Sequence, residues 1–176
     1  MSIPLQARSG AWQPALELLE PISLVRCCTS PLGRNLCMIV TETAVHVYAT
    51  SDESPNLSFE PVTSFFLGCR ATGASWSPST QHASTAWRIE ILVATETNEL
   101  RLLESVRQGS EASTSNKKLA DTYARVTDLA WCASPGYESY AAAACSDGTV
   151  RLWDLEGGCR THYLNLSLIH ISEPTR

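Results

Sequence analysis

A catalytic or metal site is built from convergent histidines, cysteines, carboxylates and hydroxyls, and this 176-residue sequence spreads them thinly. Its seven cysteines are Cys27, Cys28, Cys37, Cys69, Cys132, Cys145 and Cys159, with no C-x-x-C pair among them. Structural zinc sites need short ligand spacings, and these cysteines lack them. Cys27 and Cys28 are neighbours that a strand would point to opposite faces. Most of the seven lie in apolar, strand-like surroundings, where a free thiol packs as a small hydrophobe. Reduced core thiols are expected, and with them a cytosolic or nuclear protein.

The remaining candidates do not converge. His46 falls mid-strand, His82 in a polar loop and His162 in an edge strand. There is no G-x-S-x-G, no Gly-rich phosphate loop and no H-E-x-x-H. Asp147 precedes Gly148 in a turn, where its carboxylate is expected to orient its own backbone. No catalytic, cofactor or metal residue is assigned, and no enzyme activity is expected. The five tryptophans are Trp12, Trp76, Trp87, Trp131 and Trp153. Trp76, Trp131 and Trp153 fall at repeat-equivalent strand positions, where packing between sheets is the expected role. Trp12 and Trp87 lie outside the strand templates and are the candidates for partner contact.

Those strand positions come from an internal repeat. SLVRCCTSP (23–31) precedes NLCMIVTETAVHVY (35–48), ATGASWSPS (71–79) precedes RIEILVATETNELRLL (88–103), and VTDLAWCASP (126–135) precedes YAAAACSDGTVRLWDL (140–155). Each unit opens with an apolar strand ending at Ser30-Pro31, Ser77-Pro78 or Ser134-Pro135. A second apolar run, a polar turn and an alternating strand follow. The last strands align as Val45-His46-Val47-Tyr48, Leu100-Arg101-Leu102-Leu103 and Val150-Arg151-Leu152-Trp153. Their first and third residues share one face, and the second and fourth share the other. Asp147-Gly148 is a strong hairpin signal because Gly tolerates positive φ. The turns align as Thr41 to Ala44, Thr95 to Asn98 and Ser146 to Thr149.

Equivalent points lie 55 residues apart from Tyr48 to Leu103, then 50 to Trp153. A four-stranded repeat needs ~40–45, so polar insertions at 51–58 and 105–118 are expected as exposed loops. Segments 61–68 and 159–164 read as outer strands. The expected divisions are an N-terminal lead (1–14), then units over 15–70, 71–125 and 126–165.

The stretch from Val126 to Leu155 resembles a WD repeat, with Asp147, Gly148, Trp153 and Asp154 matching the family's turn Asp, turn Gly and strand-ending dipeptide. The Gly-His that often precedes the first strand is absent; Tyr123-Ala124-Arg125 stands there. The resemblance implies an all-β fold, about three blades at the N-terminal side of a WD-repeat β-propeller whose complete ring has seven. Within that family, the order of features in 73–103 and in RLWDLEGGCRTHYLNL is similar to the thirty-seven-kilodalton WD-repeat nucleoporins of the Y-shaped nuclear-pore scaffold complex. That similarity implies a non-catalytic scaffold at the nuclear envelope, docked on a larger nucleoporin and supporting pore assembly and transport. A general WD-repeat adaptor in a ubiquitin-ligase or chromatin complex shares the fold and differs in the face used.

Composition agrees with a globular protein: 44% apolar, 18% charged and a net charge of −5. The only adjacent basic pair is Lys117-Lys118, against the concentrated basic surface that nucleic-acid binding requires. No apolar run reaches the ~20 residues of a membrane span, and residues 1–10 hold no signal-like apolar segment. Residues 166–176, LSLIHISEPTR, resemble the in-frame translation of a transposase-based sequencing adapter at all eleven positions. On that resemblance Asn165 is the last natural residue, and the segment, with His170, is excluded from the fold expectations.

Overall fold

The computed structural model describes residues 18–51, 58–157 and 160–165. Among these every regular element is a strand: β1 (Leu24–Cys27), β2 (Leu36–Val40), β3 (Ala44–Ser51), β4 (Ser58–Phe66), β5 (Ala71–Trp76), β6 (Gln81–His82), β7 (Ala86–Thr95), β8 (Glu99–Gln108), β9 (Glu111–Asp121), β10 (Val126–Trp131), β11 (Tyr140–Cys145), β12 (Thr149–Asp154) and β13 (Arg160–Asn165). They form three antiparallel meanders: β1-β2-β3-β4, then β5-β7-β8-β9 with β6 added on β7, then β10-β11-β12-β13. Residues 166–176 and most of the 51–58 insertion lie outside the described residues.

The alternation in β3, β8 and β12 decides how the sheets stack. Val45 and Val47 of β3 are buried against the second sheet, in a core with Trp76, Ile89, Ile91, Val93 and Leu103. Leu100 of β8, on the opposite face from Leu103, joins Leu92 and Ala94 in a second core with Val126, Leu129, Ala141, Ala143 and Trp153. Val45 and Val47 of β3 and Leu100 of β8, first or third in the aligned strand, thus face the following sheet. Leu103 of β8 and Trp153 of β12, fourth in the strand, face the preceding one, as period-2 geometry demands. β2 is buried along its whole length and β7 from Ile89 onward, because both of their faces are covered. Such strands read as unbroken apolar runs rather than as alternation.

Cross-strand register places the tryptophans in rows. Trp76 pairs Ile91, which pairs Leu103; Trp131 pairs Ala141, which pairs Trp153. Trp76 and Trp131 are therefore counterparts, whereas Trp153 lies two strands further out in Trp131's row. The same register moves one turn by a residue: Asn98 and Gly148, both at positive φ (59° and 78°), are counterparts. The turn before β3 is one residue shorter.

The 105–118 segment is a correction. It is not a loop but most of a long hairpin, in which β8 and β9 pair from Glu99↔Asp121 to Gln108↔Glu111 around Gly109, whose φ is +61°. Nearly all of β9 is exposed. An outermost strand needs no apolar face when the main-chain ladder holds it, so its polarity hid it from a hydrophobic pattern.

Inner strands hold the sheets together at close range. The Trp76 indole N–H donates to the Arg26 carbonyl at 3.1 Å, and the Trp131 main-chain N–H donates to Ser75 Oγ at 2.8 Å. Ser30 of the first Ser-Pro donates its hydroxyl to the Thr80 carbonyl at 2.6 Å. Arg26 meets Asp128 across the second sheet at 2.6 Å. β5 and β10 approach closely at Gly73: a Cβ there would sit 3.2 Å from Leu129 Cβ. Gly73→Val is expected to cost about 1–3 kcal/mol by overpacking. Trp153→Ala, which empties a 1%-exposed site, is expected to cost about 3–5 kcal/mol. Thermal melting of the full-length protein measures both.

Candidate functional site

At the outer end of the junction between the first and second sheets, register brings three side chains into one row. His82 of β6 pairs Trp87 of β7, and Trp87 pairs Arg107 of β8. The His82 and Trp87 ring centroids are 6.0 Å apart, and the Arg107 guanidinium lies 4.9 Å over the Trp87 ring. At a site this exposed the cation–π contact contributes about 0.5–1 kcal/mol. The Trp87 N–H donates to the buried Ser105 hydroxyl at 3.1 Å, and Arg107 Nε donates to the Gly109 carbonyl at 3.0 Å. His82 Nδ1 lies 3.1 Å from the Asn35 amide nitrogen. An amide NH2 can only donate, so Nδ1 is the acceptor of a neutral ring. Burial pushes the His82 pKa down, against the weaker upward pull of Glu60.

Trp87 packs one edge on the first core. Two cavities flank it, of about 570 and about 550 Å³: one reaches Leu32, Gln81 and Val106, the other Asn35, Glu60 and Pro61. A held, half-buried indole beside open grooves is an anchor-type surface. Sequence singled out Trp87 but not its neighbours. β6 has two residues and no pattern, and Arg107 lay in the segment read as a loop.

Beneath the groove, Glu90 is 7% exposed. Its carboxylate accepts from Ser77 Oγ at 2.9 Å, Ser79 Oγ at 2.8 Å and Arg88 Nε at 2.7 Å. Burial pushes this carboxyl up, but the hydrogen bonds from Ser79, Arg88 and Ser77, with the Arg88 charge, hold it below its ordinary 4.5. The second Ser-Pro turn is thus anchored on a buried charge.

The residues drawn from the WD resemblance occupy structural positions. Asp147 accepts from the Thr149 main-chain N–H at 3.0 Å, its hydroxyl at 2.6 Å and Arg151 at 2.9 Å. Those bonds from Thr149 and Arg151 keep its pKa below 3.8. Asp154 accepts the Gly157 N–H at 2.9 Å, closing the turn after β12. Trp12, Cys159 and the side chain of His162 lie outside the described residues. His46 pairs with Ser64 at 3.0 Å on an exposed face. Cys28, Cys37 and Cys145 are buried, Cys69 and Cys132 half-buried and Cys27 exposed. Burial pushes the Cys37 thiol up to about 11. Among the described residues no three His, Cys, Asp or Glu side chains are grouped to hold a metal.

No family model and no curated protein sequence matches this chain. Solved structures do. The WD40 domain of SCAP from fission yeast superposes with a TM-score of 0.53 at 15% identity, over 81% of this chain and 33% of that one. The fold is that of a WD40 β-propeller. Sqt1 of Chaetomium thermophilum, solved bound to the N-terminus of ribosomal protein L10, aligns at 14% identity and TM-score 0.45, over 82% of this chain and 49% of that one. The chain therefore spans about a third of the SCAP domain's length and about half of Sqt1's. Each meander is a blade, with β1, β5 and β10 innermost. In the third blade Arg151 holds the turn Asp147 from the blade's own strand.

Glu90 gives a pH signature. A folded pKa below the unfolded one contributes stability that is complete above the unfolded value and lost as pH falls through the folded value. The melting temperature of the full-length protein is expected to drop between about pH 5 and pH 3, and that of Glu90→Gln to drop less. At pH 7 the variant should be less stable by about 1–3 kcal/mol.

Proposed function

We propose that this chain is a non-catalytic scaffold whose blades hold fixed surfaces against protein partners, and that its assembly is the Y-shaped outer-ring complex of the nuclear pore. Its place is then the nuclear envelope, its partner a larger nucleoporin of the same complex, and its contribution pore assembly and the transport of protein and mRNA. The observation that carries the docking role is the Trp87 row: an aromatic anchor fixed by His82, Arg107 and Ser105 beside two grooves. Rigid aromatic anchors lose little conformational freedom on binding, which is why they dominate interface energetics. The propeller fold supports the scaffold reading, since closed stacks of blades offer broad rims that need not move. The order of features in 73–103 and after Trp153 supports the nuclear-pore assignment. The role asks for no small-molecule substrate, nucleic acid or membrane span; among the described residues no helix is long and apolar enough to cross a membrane.

The test is affinity purification and imaging of the tagged full-length protein in cells. Recovery of outer-ring nucleoporins with a nuclear-rim signal is expected. Trp87→Ala should lower that recovery about tenfold or more without abolishing the cooperative melt. Recovery of ubiquitin-ligase or chromatin subunits in their place would assign the general adaptor role.

A further inference from the structure

Three arginines from three blades surround one small cavity at the inner strands. Arg26 of β1, Arg70 just before β5 and Arg125 just before β10 line a space of about 230 Å³, with Asp128 the acidic residue in its wall. The arrangement repeats between blades. Arg70-Ala71-Thr72 and Arg125-Val126-Thr127 open successive inner strands, and the ladder shifts register at Thr72 and again at Thr127. The two threonine hydroxyls donate to counterpart carbonyls, Thr72 to Ala94 at 3.4 Å and Thr127 to Ala144 at 3.1 Å. The two arginine carbonyls accept from Glu96 N at 2.9 Å and Ser146 N at 2.8 Å. A β-bulge inserts an unpaired residue and re-aims its neighbours, and bulges gather beside functional sites. Two blades thus use one device to bring a guanidinium to the same mouth.

What sets this mouth apart is that its unmatched cations share one concavity, whereas Arg34 and Lys117, also without an ion pair among the described residues, are exposed elsewhere. Arg88, Arg101 and Arg151 each close on a carboxylate within a few residues, at 2.6, 2.6 and 2.9 Å. At the mouth Asp128 takes Arg26 at 2.6 Å. The nearby Glu96 carboxylate accepts the Arg70 main-chain N–H at 3.1 Å rather than its guanidinium. Among the described residues the side chains of Arg70 and Arg125 have no hydrogen-bond or carboxylate partner. Arg26 Nε is itself buried and unpaired. In a chain of net charge −5, surplus positive charge is concentrated on one concave site, where low-dielectric walls focus its field.

We propose that this mouth binds the anionic side chain of a partner peptide, a carboxylate or a phosphoryl group, gripped by Arg70 and Arg125 while Arg26 is shared with Asp128. Guanidinium forks match planar carboxylate and tetrahedral phosphate oxygens in paired hydrogen bonds. The cavity is smaller than the ~300–1,000 Å³ of drug-sized ligand sites, so it takes one oxyanion headgroup rather than a base and sugar. The site shares no residue with the Trp87 groove, and either can fail without the other.

Fluorescence anisotropy on the full-length protein tests this with three labelled short peptides of one sequence, carrying glutamate, phosphoserine or glutamine at the central position. The two charged peptides are expected to bind and the glutamine peptide not. Inorganic phosphate should compete, and added salt should weaken binding. The double variant Arg70→Gln, Arg125→Gln should weaken binding about tenfold or more, and each single variant about threefold or more, with Arg34→Gln, a charge change equal to each single variant's and away from the cavity, within about twofold. If the double variant loses its cooperative melt, the single variants carry the test. Tighter binding of phosphoserine assigns the phosphoryl group, and equal binding the carboxylate. Unchanged affinity in the arginine variants, an equal loss in Arg34→Gln, or tighter binding of single-stranded RNA than of both charged peptides would overturn the proposal.

Discussion

A sheet with two apolar faces has to be covered twice, and for the second blade both covers are sheets. That constraint organises everything described above. β7 cannot leave Ile91 or Leu92 in water, so the second blade must be sandwiched: Ile91 faces the first blade and Leu92 the third. Sandwiching in turn requires the inner strands to converge, and convergence requires a residue without a side chain at position 73. Burial supplies the driving force. The hydrogen bonds between blades, from Trp76, Trp131 and Ser30, then set the relative position of the sheets, because each satisfies a polar group that stacking would otherwise strand.

The repeat was legible because hairpin chemistry and alternation leave strong marks. Ser-Pro turns, Asp147-Gly148 and the four-residue strands ending at Tyr48, Leu103 and Trp153 located the second and third strands of every blade. Their two faces followed from period 2. What stayed hidden was whatever main-chain bonding alone maintains. β9 is almost wholly polar up to Lys118, β6 has two residues, and the one-residue offset between Asn98 and Thr149 is a matter of φ rather than composition. Trp87 stood out as an aromatic residue outside the templates. Its partners did not, since His82 and Arg107 reach it only through the register of three strands. The arginine mouth left a fainter trace: Arg-Ala-Thr and Arg-Val-Thr at equivalent points, each read simply as the start of a strand.

Electrostatics and packing are divided between regions. Glu90, Asp147 and Glu99 are held by nearby hydroxyls and arginines of the same sheet, so their charges stabilise turns and strand ends locally. The junctions between sheets are mostly apolar, with the Arg26–Asp128 ion pair a charged contact across them. The Trp87 row and the arginine mouth depart from both habits, one with an aromatic ring left half open and the other with cations left unmatched. Surfaces that deviate from the rule followed elsewhere in a fold are the ones that need a different explanation.

The outermost strand of the second blade bears on how this protein behaves among its own copies. A sheet margin carries a free row of amides and carbonyls, and a long hydrophobic margin recruits any extended chain it meets. β9 is long, but it is exposed from Glu111 to Lys118 and almost wholly polar there, its Leu119 and Ala120 being turned to the second core. A second molecule docking there would have to bring the Lys117 ammonium close to its own duplicate, disturb Lys118 on Glu99 and Asp121, and strip water from serines and threonines for little apolar return. The polar segment acts as a terminator, ending this sheet laterally while its two faces remain open to stacking.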